Sequence, residues 1–282
     1  NYPVGTGNVA LGDTALDSIS TGARNTAIGD AALTANNSND NTALGFNALL
    51  ASTSDANVAV GTYALQANTT GSSNVSVGRS SLLSDTSGSY NVGVGRDALY
   101  SNTTASNNTA VGYQAGYSNT TGVGLNAFGY LAGYSNNTGP QLFVGTEAGY
   151  NTTTGESNTA VGAYRTLYSN TTGAYNTAIG RQALQANTTA SYNTAVGSGA
   201  AFNTTTSSQG VTVVGADVLY QNTTGTDIVA MGRAALYNNT TGSYNVALGR
   251  SALQANTTAS NNTAVGYQAG YANTTGAELT AI

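Results

Sequence analysis

A glycine returns every 16 to 18 residues from one end of this chain to the other. It falls at Gly12, Gly29, Gly45, Gly61, Gly78, Gly95, Gly112, Gly129, Gly145, Gly162, Gly180, Gly197, Gly215, Gly232, Gly249 and Gly266. The mean period is about 17 residues. Self-similarity at a fixed period is the signature of a solenoid. The words around the glycine repeat as well. Asn108-Thr109-Ala110-Val111-Gly112-Tyr113-Gln114-Ala115-Gly116-Tyr117 returns almost unchanged as Asn262-Thr263-Ala264-Val265-Gly266-Tyr267-Gln268-Ala269-Gly270-Tyr271.

A 17-residue unit has no room for a long helix and its connections. The residues before the glycine alternate instead. Numbering from the glycine, position −1 holds Leu11, Ile28, Val60, Val94, Val111, Ile179 and Val265, position −2 is small, as in Ala10, Ala27, Ala59 and Ala110, and position −3 is Val or Thr. Branched residues at period two predict a strand. The glycine suits a sharp corner. A second short segment, Ala-Leu-Tyr or Ala-Gly-Tyr, is expected to be a second strand, and Asn-Thr-Thr-Gly has the chemistry of a turn. The expected fold is all-β: a parallel β-roll, or β-solenoid, of about 16 turns of about 17 residues, with one repeat domain over residues 1–282. Stacking like on like predicts columns of aliphatics, of Ala, and of Asn whose amides satisfy one another between rungs.

Both faces of the strand read as apolar, whereas a strand facing water alternates apolar with polar. One face fills the roll and the other needs cover. Two readings follow: self-association, or a narrow roll with Ala inside and Val or Thr at its surface. The pattern weakens around Val123–Val144, where Leu125 and Gln141 replace the usual Asn and Pro140 enters. The chain opens on Asn1 and stops in the pattern at Ile282, so it reads as a segment of a longer protein.

Composition narrows the chemistry. The chain has no His and no Cys, so neither a Ser-His-Asp nor a Cys-His site can form within it, and the usual zinc ligand sets are missing. Asp13, Asp17 and Asp30 read as solvated charge. No enzyme activity and no cofactor is expected. A net charge of −5 gives no footprint for nucleic acid, and no run is long and apolar enough for a membrane-crossing helix. Eleven asparagines begin N-x-T: Asn68, Asn102, Asn119, Asn151, Asn170, Asn187, Asn203, Asn222, Asn239, Asn256 and Asn273. They read as turn formers in a stacked polar ladder, or else as a column of glycan acceptors. Tyr100, Tyr117, Tyr134, Tyr150, Tyr220, Tyr237 and Tyr271 stand five residues past the glycine. They read as rings stacked between rungs or packed between subunits, or as an aromatic surface for sugar or protein. Arg79, Arg96, Arg181, Arg233 and Arg250 directly follow the glycine, and Asp97 is a candidate partner for Arg96.

The N-[TV]-A-[VI]-G-x-x-A unit resembles the head repeats of trimeric autotransporter adhesins, the YadA-type heads, and related repeats of bacterial surface and phage tail-fibre proteins. The likeness runs from Gly12 to Gly266. It implies a left-handed roll, three chains side by side, and a role in adhesion or fibre building outside the cell or on a virion. The period is longer than the compact head turn, and no neck, coiled-coil stalk or membrane barrel accompanies it. The leading expectation is a non-enzymatic structural or adhesive segment of an extracellular fibre. Its partners would be further copies of itself and a host or matrix protein or glycan. A subunit that polymerises end to end through open rungs is the alternative. An ice-binding solenoid is a third reading, which the mixed Thr and Val of position −3 and the varying loop lengths disfavour.

Overall fold

The computed structural model describes residues 6–18, 20–35, 37–205 and 208–282. The chain divides into two compact units, Asn1–Pro140 and Gln141–Ile282. The division falls inside the stretch where the sequence pattern weakens. The first unit contains β1 (Val9–Leu11), β2 (Thr26–Ile28), β3 (Thr42–Leu44), β4 (Val58–Val60), β5 (Val75–Val77), β6 (Val92–Val94), β7 (Thr109–Val111) and β8 (Leu125–Phe128). The second contains β9 (Gln141–Thr146), β10 (Thr159–Tyr164), β11 (Thr177–Ile179), β12 (Thr194–Val196), β13 (Thr212–Val214), β14 (Val229–Met231), β15 (Val246–Leu248), β16 (Thr263–Val265) and β17 (Thr280–Ala281). Within each unit every strand pairs in parallel with the next in sequence, one rung per turn, and no helix occurs among the described residues. The protein is a parallel β-solenoid of about 16 turns.

The register stacks like on like. Ala10 faces Ala27 and Leu11 faces Ile28; Thr177 faces Thr194 and Ile179 faces Val196. The strands are three residues long in most turns, and the middle one points inward. Ala27, Ala43, Ala59, Ala110, Ala178 and Ala247 are fully buried. The Ala column therefore lines the inside of the roll, and the aliphatic column of position −1 lies outside.

The marker glycine is required twice over. Gly95 has φ +130°, a region that L side chains resist. A Cβ built on Gly78 would also lie 2.5 Å from the carbonyl oxygen of Gly95 on the next rung. The corner backbones stack too closely for any side chain.

The expected second strand is not one. Positions +2 and +4 adopt left-handed backbone instead, as in Ala31 (φ 53°) and Leu33 (φ 52°), or Asp97 (φ 58°) and Leu99 (φ 50°). The segment is therefore a curled turn, although its amides still bond between rungs. Leu33 N donates to Ala48 O on the next rung at 3.0 Å, and Ala31 N to Asp13 O on the previous one at 2.9 Å. Left-handed backbone costs a non-glycine residue about 1–2 kcal/mol. Burying a leucine returns about 1.5–3 kcal/mol, and Leu33, Leu49, Leu65, Leu82, Leu99, Leu184, Leu236 and Leu253 are all fully buried. The exchange is favourable once the rung bonds are added.

Where glycine replaces that leucine, a neighbour fills the space. A Cβ on Gly116 would meet Leu125 Cδ2 at 2.8 Å, one on Gly149 the Phe143 ring at 2.5 Å, and one on Gly270 Leu279 Cδ2 at 3.1 Å. The apparent decay of the motif near Leu125 and Phe143 is thus an exchange of volume, between adjacent rungs at Gly116 and Leu125 and within one rung at Gly149 and Phe143. The 18-residue turn is absorbed locally too. β9 and β10 pair Val144 with Val161 but Thr146 with Tyr164, and the extra residue bulges out between.

Two polar columns complete the interior. At position −4, Asn25, Asn41, Asn57, Asn74, Asn91 and Asn108 are fully buried. Each Oδ1 accepts the main-chain N–H of the corresponding residue on the next rung, from Asn41 N to Asn25 Oδ1 at 3.0 Å up to Leu125 N to Asn108 Oδ1 at 2.9 Å. The Nδ2 groups of all but Asn108 donate to loop carbonyls, as from Asn74 to Gly88 O at 2.8 Å, and that of Asn108 to Asn102 Oδ1. In the second unit Gln141 starts the same column by accepting from Asn158 N at 2.9 Å.

Candidate interaction surfaces

The second polar column runs through position +7, or +8 at Asn170 past the bulge, and takes up most of the N-x-T asparagines. Asn68, Asn102, Asn119, Asn170, Asn187, Asn222, Asn239 and Asn256 are fully buried. Side chains bond amide to amide along it: Asn187 Nδ2 to Asn170 Oδ1 at 2.8 Å, Asn239 to Asn222 at 3.0 Å and Asn256 to Asn239 at 2.8 Å. Each of these Nδ2 groups also closes its own loop, as Asn187 does on Ala190 O at 3.1 Å and Asn239 on Gly242 O at 2.9 Å. A glycan on such an Nδ2 would have to pass through the packed roll, so the geometry of these eight supports the ladder reading and not the glycan reading. Asn273 continues the ladder to Asn256 Oδ1 at 3.3 Å but is part-exposed. Asn151 and Asn203 lie one position earlier and are part-exposed, while Thr152 and Thr204 occupy the column. Counting from Gly145 and Gly197 gives this offset directly.

One member of the +7 column is an acid. Asp85 is fully buried. Its Oδ1 accepts from Gly88 N at 2.9 Å and from Asn102 Nδ2 at 3.3 Å, while its Oδ2 has no partner. Burial raises its pKa to about 7, against the lowering effect of those hydrogen bonds. Asn102, Asn119, Asn187, Asn239 and Asn256 each donate to the preceding rung's member of the column, and Asp85 can do so only when protonated.

The tyrosines of position +5 form stacked files. Tyr100 and Tyr117 are 5.0 Å apart between ring centroids at 9°, and Tyr117 and Tyr134 5.1 Å at 7°. In the second unit Tyr150 stacks on Tyr168 at 5.2 Å, and Phe202, Tyr220 and Tyr237 form one file. These rings are half-buried and cover one another's faces, so they present edges to solvent. Burial pushes the Tyr117 phenol up, with Tyr100 and Tyr134 adding to it. Tyr271 differs, being exposed with Gln254 on the preceding rung. A second, more exposed set stands at position −5: Tyr90, Tyr175, Tyr192 and Tyr244, of which Tyr175 and Tyr192 stack at 5.2 Å.

The outward strand face carries an apolar column. Position −1 is apolar on every rung, from Leu11 to Phe128 in the first unit and from Val144 to Val265 in the second. Leu11 is 68% exposed, Leu44 44%, Ile179 40% and Met231 48%. Beside it, position −3 is Thr or Val except at Asn126 and Leu142, and Val9 and Val229 are exposed. No charge interrupts either column.

Charge lies on the corners. Arg96 Nε meets Asp97 Oδ2 at 3.2 Å, the pair expected from the sequence. Arg24 pairs with Asp40 at 2.6 Å and Arg165 with Glu147 at 2.6 Å. In each of these two pairs the carboxylate raises the arginine's pKa, foremost through the side-chain hydrogen bond. Among the described residues no group of three or more His, Cys, Asp or Glu could hold a metal, and no helix is long and apolar enough to cross a membrane.

The class the fold and its surfaces define is an all-β parallel solenoid repeat protein. Comparison with family models, curated proteins and solved structures finds no match for the chain.

Proposed function

We propose that this chain is a structural and adhesive segment of an extracellular fibre, in which the outward strand faces of three copies pack together. The observation that carries the reading is the uninterrupted apolar column of position −1. Soluble monomers rarely leave contiguous apolar patches larger than a few hundred Å² uncovered, and a strand face bound for water would alternate with polar residues. A second copy offers the same column at the same rung spacing of about 4.8 Å, so the face is complementary to itself. The number three and the left-handed sense follow from the likeness to YadA-type heads. No catalytic step is assigned to any residue, and adhesion would draw on surfaces repeated from rung to rung, which favours multivalent contact.

Native mass, measured by light scattering beside the denatured chain mass, tests the reading. Three chains per particle are expected, with Met231→Glu and Ile179→Glu shifting the mass towards one. A wild-type particle of one chain, soluble at high concentration, would sink it. Open-ended assemblies that persist in those two variants would point instead to polymerisation through the terminal rungs.

A further inference from the structure

Arg233 and Arg250 follow marker glycines on successive rungs. β14 and β15 hold them in register, with Met231 opposite Leu248 and Ser251 N donating to Arg233 O at 2.9 Å. The two arginines thus leave the backbone about one rung, roughly 4.8 Å, apart. Among the described residues neither has a carboxylate within salt-bridge distance, whereas Arg24, Arg96 and Arg165 each have one. The other stacked pair, Arg79 and Arg96, carries Asp97 at position +2, against Arg96. On the Arg233 and Arg250 rungs position +2 is Ala234 and Ser251.

The pair opens onto a cleft of about 290 Å³ lined also by Ser251, Gln254, Gln268 and Tyr271. The lining contains two cations, two amides, two hydroxyls and no carboxylate. An arginine fork donates paired hydrogen bonds to a planar or tetrahedral oxyanion, and amides, hydroxyls and an exposed tyrosine suit the hydroxyl groups and ring of a sugar. A net charge of −5 argues against a nucleic acid as the source of the anion.

We propose that Arg233 and Arg250 form an anion-binding site that takes a sulfate or carboxylate group of an acidic polysaccharide, with Gln254, Gln268 and Tyr271 against the adjoining sugar. The site lies within one chain and does not depend on how copies assemble.

Calorimetric titration of the intact chain with a sulfated oligosaccharide, an oligouronate, a neutral oligosaccharide and inorganic sulfate tests it. At least one acidic oligosaccharide should bind and the neutral one should not, the stronger arm naming the anion. Arg233→Gln or Arg250→Gln should weaken that binding about tenfold or more, and the double variant should abolish it. Arg181→Gln, which alters an arginine without an arginine neighbour, should leave it intact. Ser251→Asp gives a sharper check. Ser251 has φ 59° and Asp97 has φ 58°, so the acid fits the backbone and would reproduce the Arg96–Asp97 pair beside Arg250. It should remove binding while the melting temperature holds. Failure of both acidic oligosaccharides to bind, or binding indifferent to the double variant and to Ser251→Asp, would overturn the proposal. Inorganic sulfate binding without either oligosaccharide would overturn it as well.

Discussion

The inside and the outside of this roll are built the wrong way round for an ordinary globular protein. Inside run two columns of asparagine beside alanine and leucine; outside, the strand face is aliphatic. The position −4 amides are satisfied by their own repetition, while in the other column Asn68 Nδ2, Asn119 Oδ1, Asn136 Oδ1 and Asn187 Oδ1 lack a partner among the described residues. Each Oδ1 at position −4 meets the next rung's N–H, as at Asn57 and Asn74, 2.9 Å apart. The outer face has no equivalent. Stacking Ile179 on Val196 covers their edges and leaves their outward sides in water. Repetition along the rungs can complete hydrogen bonds but cannot bury a surface that faces away from the stack. Polarity is therefore met largely within a chain, while the apolar face is the surface that the proposed assembly would cover.

The contrast can be broken hardest from within. Asn57→Ala removes the acceptor of Asn74 N and the donor to Gly71 O at 3.0 Å. Stranding buried groups of this kind should cost about 2–5 kcal/mol, read as a lower urea midpoint. Asp85→Asn should act in the opposite direction, because it restores the amide that the column uses. The sign follows from the raised pKa. The folded chain binds the Asp85 proton more tightly than the unfolded chain, so this group's contribution is intact below about pH 4. It is lost progressively between about pH 4 and pH 7. The side chains facing the carboxyl are Asn68, Asn91 and Asn102, none of them charged. Asp85→Asn should stabilise the chain by roughly 2–4 kcal/mol at pH 8 and have little effect at pH 3.5. Equal gains at both values would show that Asp85 titrates normally. The smallest effect belongs to the outer face. Ile179→Thr should change the urea stability of a dissociated chain by less than about 0.5 kcal/mol, yet weaken assembly in the mass measurement.

Much of this was legible beforehand. The glycine period gave the rungs, the alternation gave one strand per rung, and the Asn positions gave ladders. Ala-Leu-Tyr misled because a short apolar run does not distinguish a strand from a curled turn, and left-handed leucines run against local preference. Only the stack, by burying them, makes that backbone worthwhile. The inward direction of the Ala column was undecidable from the strand alone, since both of its faces are apolar. It is set by the leucine at +4, which needs a small residue opposite. Asn68 and its equivalents looked like surface turns, yet the turn folds their amides inward. The arginine contrast could have been found by reading position +2 beside position +1: Arg96-Asp97 against Arg250-Ser251.

The rung-to-rung bonds also have a mechanical meaning. Within a unit each rung is joined only to the rungs on either side, by nearly the same short set of hydrogen bonds each time. Such a stack behaves as links in series. Adding turns lengthens its reach without raising the force it withstands, which is set by the weakest junction between two rungs. Exchanges such as Gly116 with Leu125, which keep a junction between rungs filled, therefore guard the tensile limit of their unit.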